Sequence, residues 1–94
     1  MQGRARHVRK TATTLGTVVF PTCSGRFAVW IKVSVADVRI TLDGTTPSAT
    51  NGYPVPVDGE LKLGHADGVP GGEVIAWSSG GTGIVDAFEI IPFN

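Results

Sequence analysis

The feature that most constrains the fold is an alternation of apolar and polar side chains that changes phase once. Apolar residues fall at Phe27, Val29, Ile31 and Val33, with Ala28, Trp30, Lys32 and Ser34 between them. That is the period of two by which a strand buries one face. From Ala36 the apolar set becomes Ala36, Val38, Ile40 and Leu42, set against Asp37, Arg39 and Thr41. A one-residue change of phase within a continuous strand would turn its buried side out to water. The chain must therefore turn or bulge around Ser34, Val35 and Ala36, and a short turn between two strands is expected there.

The rest of the chain repeats short apolar runs separated by turn signals. Leu15, Val18, Val19 and Phe20 form a first run that stops at Pro21. Asp43 and Gly44 end the strand that began at Ala36, because Asp can bond its own backbone and Gly accepts a positive φ. Residues 45–52 read as an extended surface loop. Tyr53, Val55 and Val57 alternate with Pro54 and Pro56, which confines that segment to a sheet edge or to irregular structure. Asp58 and Gly59 then give a hairpin signal before Leu61 and Leu63. Residues 64–72 form a loop, residues 73–79 resume strand character around Val74, Ile75 and Trp77, and Gly80 and Gly81 turn the chain again. The last run holds Ile84, Val85, Ala87, Phe88, Ile90, Ile91 and Phe93 and is apolar on both faces. A central strand, or one covered by another subunit, has that pattern.

Thirteen glycines and six prolines in 94 residues, with no sustained helical period, agree with many short strands and tight turns. Six or seven strands are expected. The fold class is all-β, a small antiparallel β-sandwich or jelly-roll-like barrel with an extended N-terminal arm. Residues 1–13 are assigned to the arm and residues 14–94 to the sandwich domain.

Charge divides unevenly along the chain. Arg4, Arg6, Arg9 and Lys10 put four positive charges in the first ten residues, and the other four bases face all eight acids, so a +4 arm precedes a −4 body. No aromatic residue is interleaved to stack on bases, so the arm points to an acidic protein surface more than to nucleic acid. A merely solvated tail is the plainer alternative. Trp30 lies among the polar positions of its strand, where a large aromatic marks an interface unless a second layer of the same chain covers it. The apolar end at Ile91 and Phe93 also calls for a cover. Arg4, Arg6, Arg9, Lys10, Trp30, Ile91 and Phe93 are the candidate partner contacts.

Catalytic patterns are missing. His7 and His65 are the two histidines, and no nucleophile elbow or cysteine-protease signature accompanies Cys23. Asp58, Glu60 and Asp67 lack the regular spacing of a calcium loop. Gly80, Gly81 and Gly83 lack the lysine and the helix of a phosphate loop. The single cysteine leaves a buried thiol or a bond between chains. No apolar run reaches the length of a signal peptide or a membrane span. The expectation is a protein that is not an enzyme, takes no cofactor or metal, and contacts no membrane.

The segment Asp37-Val-Arg-Ile-Thr-Leu-Asp-Gly-Thr-Thr-Pro-Ser-Ala-Thr-Asn-Gly52, with Val55, Pro56 and the strand from Gly59 to Leu63, resembles small virion structural proteins of tailed bacteriophages. The likeness spans about residues 29–93. It implies a β-sandwich that decorates or cements a phage head as a dimer or trimer and contacts the major capsid protein. The same D-G-T-x-P turn occurs in accessory domains of chitobiase-like glycosidases. A carbohydrate-binding or adhesion module of a tail or fibre component is therefore the alternative, with Trp30, Trp77 or Tyr53 stacking on sugars.

Overall fold

The computed structural model describes residues 3–64 and 69–92, and among them it is all-β, with eight strands in two antiparallel four-stranded sheets. In chain order the strands are β1 (Gly3–Ala12), β2 (Thr17–Phe20), β3 (Ala28–Ser34), β4 (Val38–Thr41), β5 (Tyr53–Val55), β6 (Glu60–Leu63), β7 (Val74–Trp77) and β8 (Gly83–Pro92). The sheets run β1-β8-β3-β6 and β2-β7-β4-β5. Pairings of β1 with β8, β2 with β7, β3 with β6 and β4 with β5 are those of one long hairpin whose tip lies between β4 and β5. Pairings of β3 with β8 and of β4 with β7 roll that ribbon into two facing layers. The expected sandwich is present, and its strand order is that of an eight-stranded jelly roll.

Small β-branched side chains fill the space between the sheets: Val29, Ile31, Val33 and Val85 from the first, and Val19, Val38, Ile40, Val55 and Val74 from the second, with Phe20 the largest. The change of phase has a direct cause. β3 belongs to the first sheet and β4 to the second, so the chain crosses the core's rim between them and the inward set changes parity. The crossing begins with a γ-turn in which the Ala36 N–H donates to the Ser34 carbonyl at 2.9 Å. Val35 sits at its centre with φ of 74° and 68% exposure, a strained position for a β-branched residue. Where β8 begins, the two layers approach closely. A Cβ on Gly83 would lie 2.5 Å from Val38 Cγ2, so a side chain there has no room.

The D-G-T-x-P segment builds the tip of the ribbon. The Asp43 carboxylate accepts from the Thr45 amide at 3.1 Å and hydroxyl at 2.7 Å, and the Thr41 hydroxyl donates to the Thr45 carbonyl at 2.6 Å. These bonds pull the Asp43 pKa below its ordinary value, the Thr45 hydroxyl contributing most. Pro47 is fully buried behind them. The motif that carried the family resemblance thus fixes a loop.

The extended arm requires correction. Gly3–Ala12 is a strand paired with β8 over its whole length, from Gly3 opposite Pro92 to Ala12 opposite Gly83. Its even-numbered residues share the core side of Val85, Ala87, Glu89 and Ile91, and its odd-numbered residues share the outer side. The four bases expected to form one clasp are therefore split, with Arg4, Arg6 and Lys10 on one side and Arg9 on the other. Arg6 keeps a partly exposed side chain, but its guanidinium is committed to a buried carboxylate. Its Nε donates to Glu89 Oε2 at 2.8 Å, and Nη2 bonds the same oxygen. Arg26 Nε takes Glu89 Oε1 at 2.5 Å, with both side chains fully buried. The remaining Arg26 donors reach the carbonyls of Pro70 (2.8 Å), Gly72 (3.0 Å) and Pro21 (2.8 Å). One guanidinium thus ties β8 to the loops on either side of it.

Ile91 is likewise corrected as a partner contact. It shares the inward parity of Val85 and is 5% exposed, which leaves it no surface to offer. Phe93 lies outside the described residues, as do His65 and Asp67.

Candidate binding surface

The outer face of the first sheet is where the structure gathers side chains that the core does not use. Register sets them in rows, one residue per strand. His7 lies opposite Phe88, Phe88 opposite Trp30, and Trp30 opposite Lys62. One step along, Arg9 lies opposite Asp86, Asp86 opposite Lys32, and Lys32 opposite Glu60. Ile90 with Ala5 and Ala28 forms a row on one side of these, and Ile84 with Thr11 and Ser34 forms a row on the other.

The aromatic row is continuous. His7 and Phe88 have ring centroids 5.5 Å apart at 50°, and Phe88 and Trp30 5.2 Å apart at 57°, the tilted geometry that ring quadrupoles favour. Lys62 Nζ stands 4.6 Å from the Trp30 ring centroid, a cation–π contact. The Trp30 indole N–H donates to Glu60 Oε2 at 2.6 Å, which pins the ring. Trp30 is 38% exposed. Arg9 Nη1 meets both Asp86 oxygens at 3.0 and 3.1 Å in an exposed pair. Between these two rows lies an open trough of about 460 Å³ bordered by His7, Arg9, Trp30, Lys32, Glu60, Asp86 and Phe88.

Of the expected contacts, the structure brings only Arg9 and Trp30 onto this face. Arg4 and Lys10 are exposed on the opposite side of the β1 edge, Arg6 is half-buried there in its ion pair with Glu89, Ile91 is buried, and Phe93 is not described. Trp77 and Tyr53 belong to the second sheet, where the Trp77 indole donates to the Thr14 carbonyl at 2.9 Å. The three residues considered for sugar stacking therefore share no platform. Phe88, Lys32, Glu60, Asp86 and His7 were not singled out from the sequence as contacts. The available signal was parity: Ile84, Asp86, Phe88 and Ile90 fall on one side of β8, and three of these four are apolar on a face that a two-layer sandwich leaves to water.

Cys23 is half-buried and unpaired by any disulfide. Among the described residues no group of three or more His, Cys, Asp and Glu is placed to hold a metal ion, and no helix is long and apolar enough to cross a membrane. Comparison of the chain with protein-family models, with curated proteins and with solved structures finds no match.

Proposed function

We propose that this chain is a structural protein of the tailed-phage virion, a decoration or cement protein that binds and stabilises the head lattice through contacts with its own copies and with the major capsid protein. The observation that carries this reading is the outer side of β8. Phe88 and Ile90 on neighbouring levels, Phe88 packed on Trp30, and Ile84 beyond the Asp86 row are apolar residues left only half-buried among the described residues, and such a surface marks a contact with another molecule. The resemblance of residues 37–52 to phage virion proteins supplies the setting, and jelly rolls are a recurrent fold of capsid domains. A protein of this kind works by mass action: it binds the assembled shell and not dispersed subunits, and so shifts the balance toward the shell. No catalytic step is part of the proposal.

The test is addition of purified protein to heads of the encoding phage stripped of it. Saturable binding with gain of heat resistance supports the reading, and Trp30→Ala should weaken both. Deletion of residues 1–10 is not a usable probe, because it removes most of β1 and with it an edge of the sheet.

A second reading is favoured by the aromatic row itself. Trp30 and Phe88 beside the charged row of Arg9, Asp86, Lys32 and Glu60 offer a stacking floor and hydroxyl partners for a pyranose ring. Binding of glycans that Trp30→Ala abolishes, in a protein that ignores heads, would establish an adhesion module instead.

A further inference from the structure

We propose that the outer face of the β1-β8-β3-β6 sheet is self-complementary, and that a second copy of this chain docks on it face to face about a two-fold axis parallel to the strands, between β8 and β3. The inference deepens the assembly reading above and rests on it.

Two independent observations lead to a second copy. The first is the unpartnered apolar set on β8. The second is the order of charge across the sheet. Arg9, Asp86, Lys32 and Glu60 occupy one level on β1, β8, β3 and β6, so the sequence across the face is positive, negative, positive, negative. Reversing that order turns every sign over. A two-fold axis parallel to the strands does so, because it reverses the order of strands while keeping each residue at its own level. Arg9 of either copy then meets Glu60 of the other, and Asp86 meets Lys32. All four contacts set opposite charges together, and the pairs within each chain become a two-layer alternating array.

The same axis sets the neighbouring rows: Phe88 falls against Trp30 of the other copy, His7 against Lys62, and Ile90 against Ala28. The competing two-fold, perpendicular to the strands and passing through the charged row, would set Arg9 on Arg9 and Asp86 on Asp86, a like-charge arrangement that disfavours it. The face is therefore selective for one orientation as well as for one partner, as an isologous interface requires.

Size is adequate for a modest dimer. Four strands at about 4.8 Å spacing and the seven residues of β3 at about 3.3 Å each cover roughly 19 by 23 Å. Two such faces with their side-chain relief bury on the order of 1,000 Å², near the lower limit for specific association. The dimer should accordingly form and dissociate with concentration.

Sedimentation of the full chain over a range of concentrations tests this. Asp86→Lys alone and Lys32→Asp alone should each weaken self-association at least ~10-fold, because each creates like-charge contacts across the axis. The two together should restore it, because every contact across the axis is again opposite in sign, while the like charges then placed beside Arg9 and Glu60 lie within one chain and burden monomer and dimer alike. Near-ultraviolet circular dichroism from Trp30 and Trp77 checks that the fold is kept. A chain that stays monomeric at about millimolar concentration, the level of only the weakest specific complexes, would overturn the proposal. So would a double exchange that fails to restore the dimer. A monomer that still saturates phage heads overturns this interface and leaves the assembly reading standing. A charge-dependent dimer that binds no heads upholds the interface and removes that reading.

Discussion

Two arginine–carboxylate pairs lie on the same two strands three residues apart, and they do opposite things. Arg6 lies opposite Glu89 and Arg9 opposite Asp86, so the odd spacing puts one pair on the core side of the sheet and the other on its outer side. Glu89 is fully buried, and both its oxygens are occupied by guanidinium groups, one of them the equally buried Arg26. Asp86 and Arg9 keep side-chain exposures of 46% and 68%. Both pairs set an arginine of β1 against a carboxylate of β8, and burial of the carboxylate, with the second base that burial demands, separates them. A buried pair is costly to break, because removing one partner leaves an uncompensated charge in the interior. An exposed pair contributes little to stability and keeps its charges available to another molecule.

The largest effect is expected at Glu89. Glu89→Ala strands Arg26 without its counter-charge and should destabilise the fold by about 3–5 kcal/mol, measured as a lower urea midpoint. For a domain of this size that is a large share of the total, on the order of 5–15 kcal/mol. Replacing Arg6, Arg26 and Glu89 together by apolar residues should not recover the loss. The Arg26 guanidinium also serves three carbonyls, and an apolar side chain takes that donor away from all of them. Arg26→Lys isolates this contribution. Lysine keeps the charge but not the planar fork that reaches Glu89, Pro21, Pro70 and Gly72 at once, so a loss of about 2 kcal/mol is expected by the same measurement.

On the other face the expected effects are smaller and respond to salt. A double-mutant cycle on Arg9 and Asp86 in the monomer should give a coupling of roughly 0.2–1 kcal/mol. It should shrink toward nothing at about 1 M salt, where the screening length falls to about 3 Å. The same salt should leave the Glu89 deficit nearly unchanged, because the buried cluster is out of reach of mobile ions. A coupling at Arg9 that persisted at high salt would show that the two pairs do not differ in their exposure to mobile ions.

The comparison also explains what was legible in the sequence. Alternation around Val29 and Val38 carried the sandwich and the crossing at Val35, because each buries one clean face. β1 was hidden for a physical reason. Its core side carries Arg4, Arg6, Val8 and Lys10, so one large apolar residue is all that marks it, and the strand is held by its ladder to β8 and by Glu89. The buried cluster was readable from one end only. Glu89 shares the parity of Val85, Ala87 and Ile91, and a carboxylate on a core-facing position demands a buried base. Nothing local identified Arg26 as that base, because it precedes β3 by two residues in a loop and meets Glu89 across 63 positions of sequence. The binding surface was half legible: Trp30 stood out as an aromatic among polar positions, but the row it belongs to exists only once β1, β8, β3 and β6 lie side by side.

Asp43 supplies the smallest effect and a third grade of carboxylate, one held with no base at all. It is fully exposed, and hydrogen bonds from the Thr45 hydroxyl first, then the Thr45 amide and its own backbone, lower its pKa. A carboxylate whose folded pKa is depressed stabilises the fold above its unfolded pKa, and that contribution is lost as pH falls through the folded value. Stability should therefore show a slight acid-side decline attributable to this group. Asp43→Asn keeps an oxygen that accepts both Thr45 donors but carries no charge, so it should hold the turn at neutral pH while removing that part of the decline. Asp43→Ala should lose the turn at every pH. Urea midpoints from about pH 7 down through the carboxylate range, compared among the three proteins, read the difference. If the asparagine variant followed the wild-type curve throughout, the charge at Asp43 would have no role beyond that of a hydrogen-bond acceptor, and grading by burial would end at Asp86.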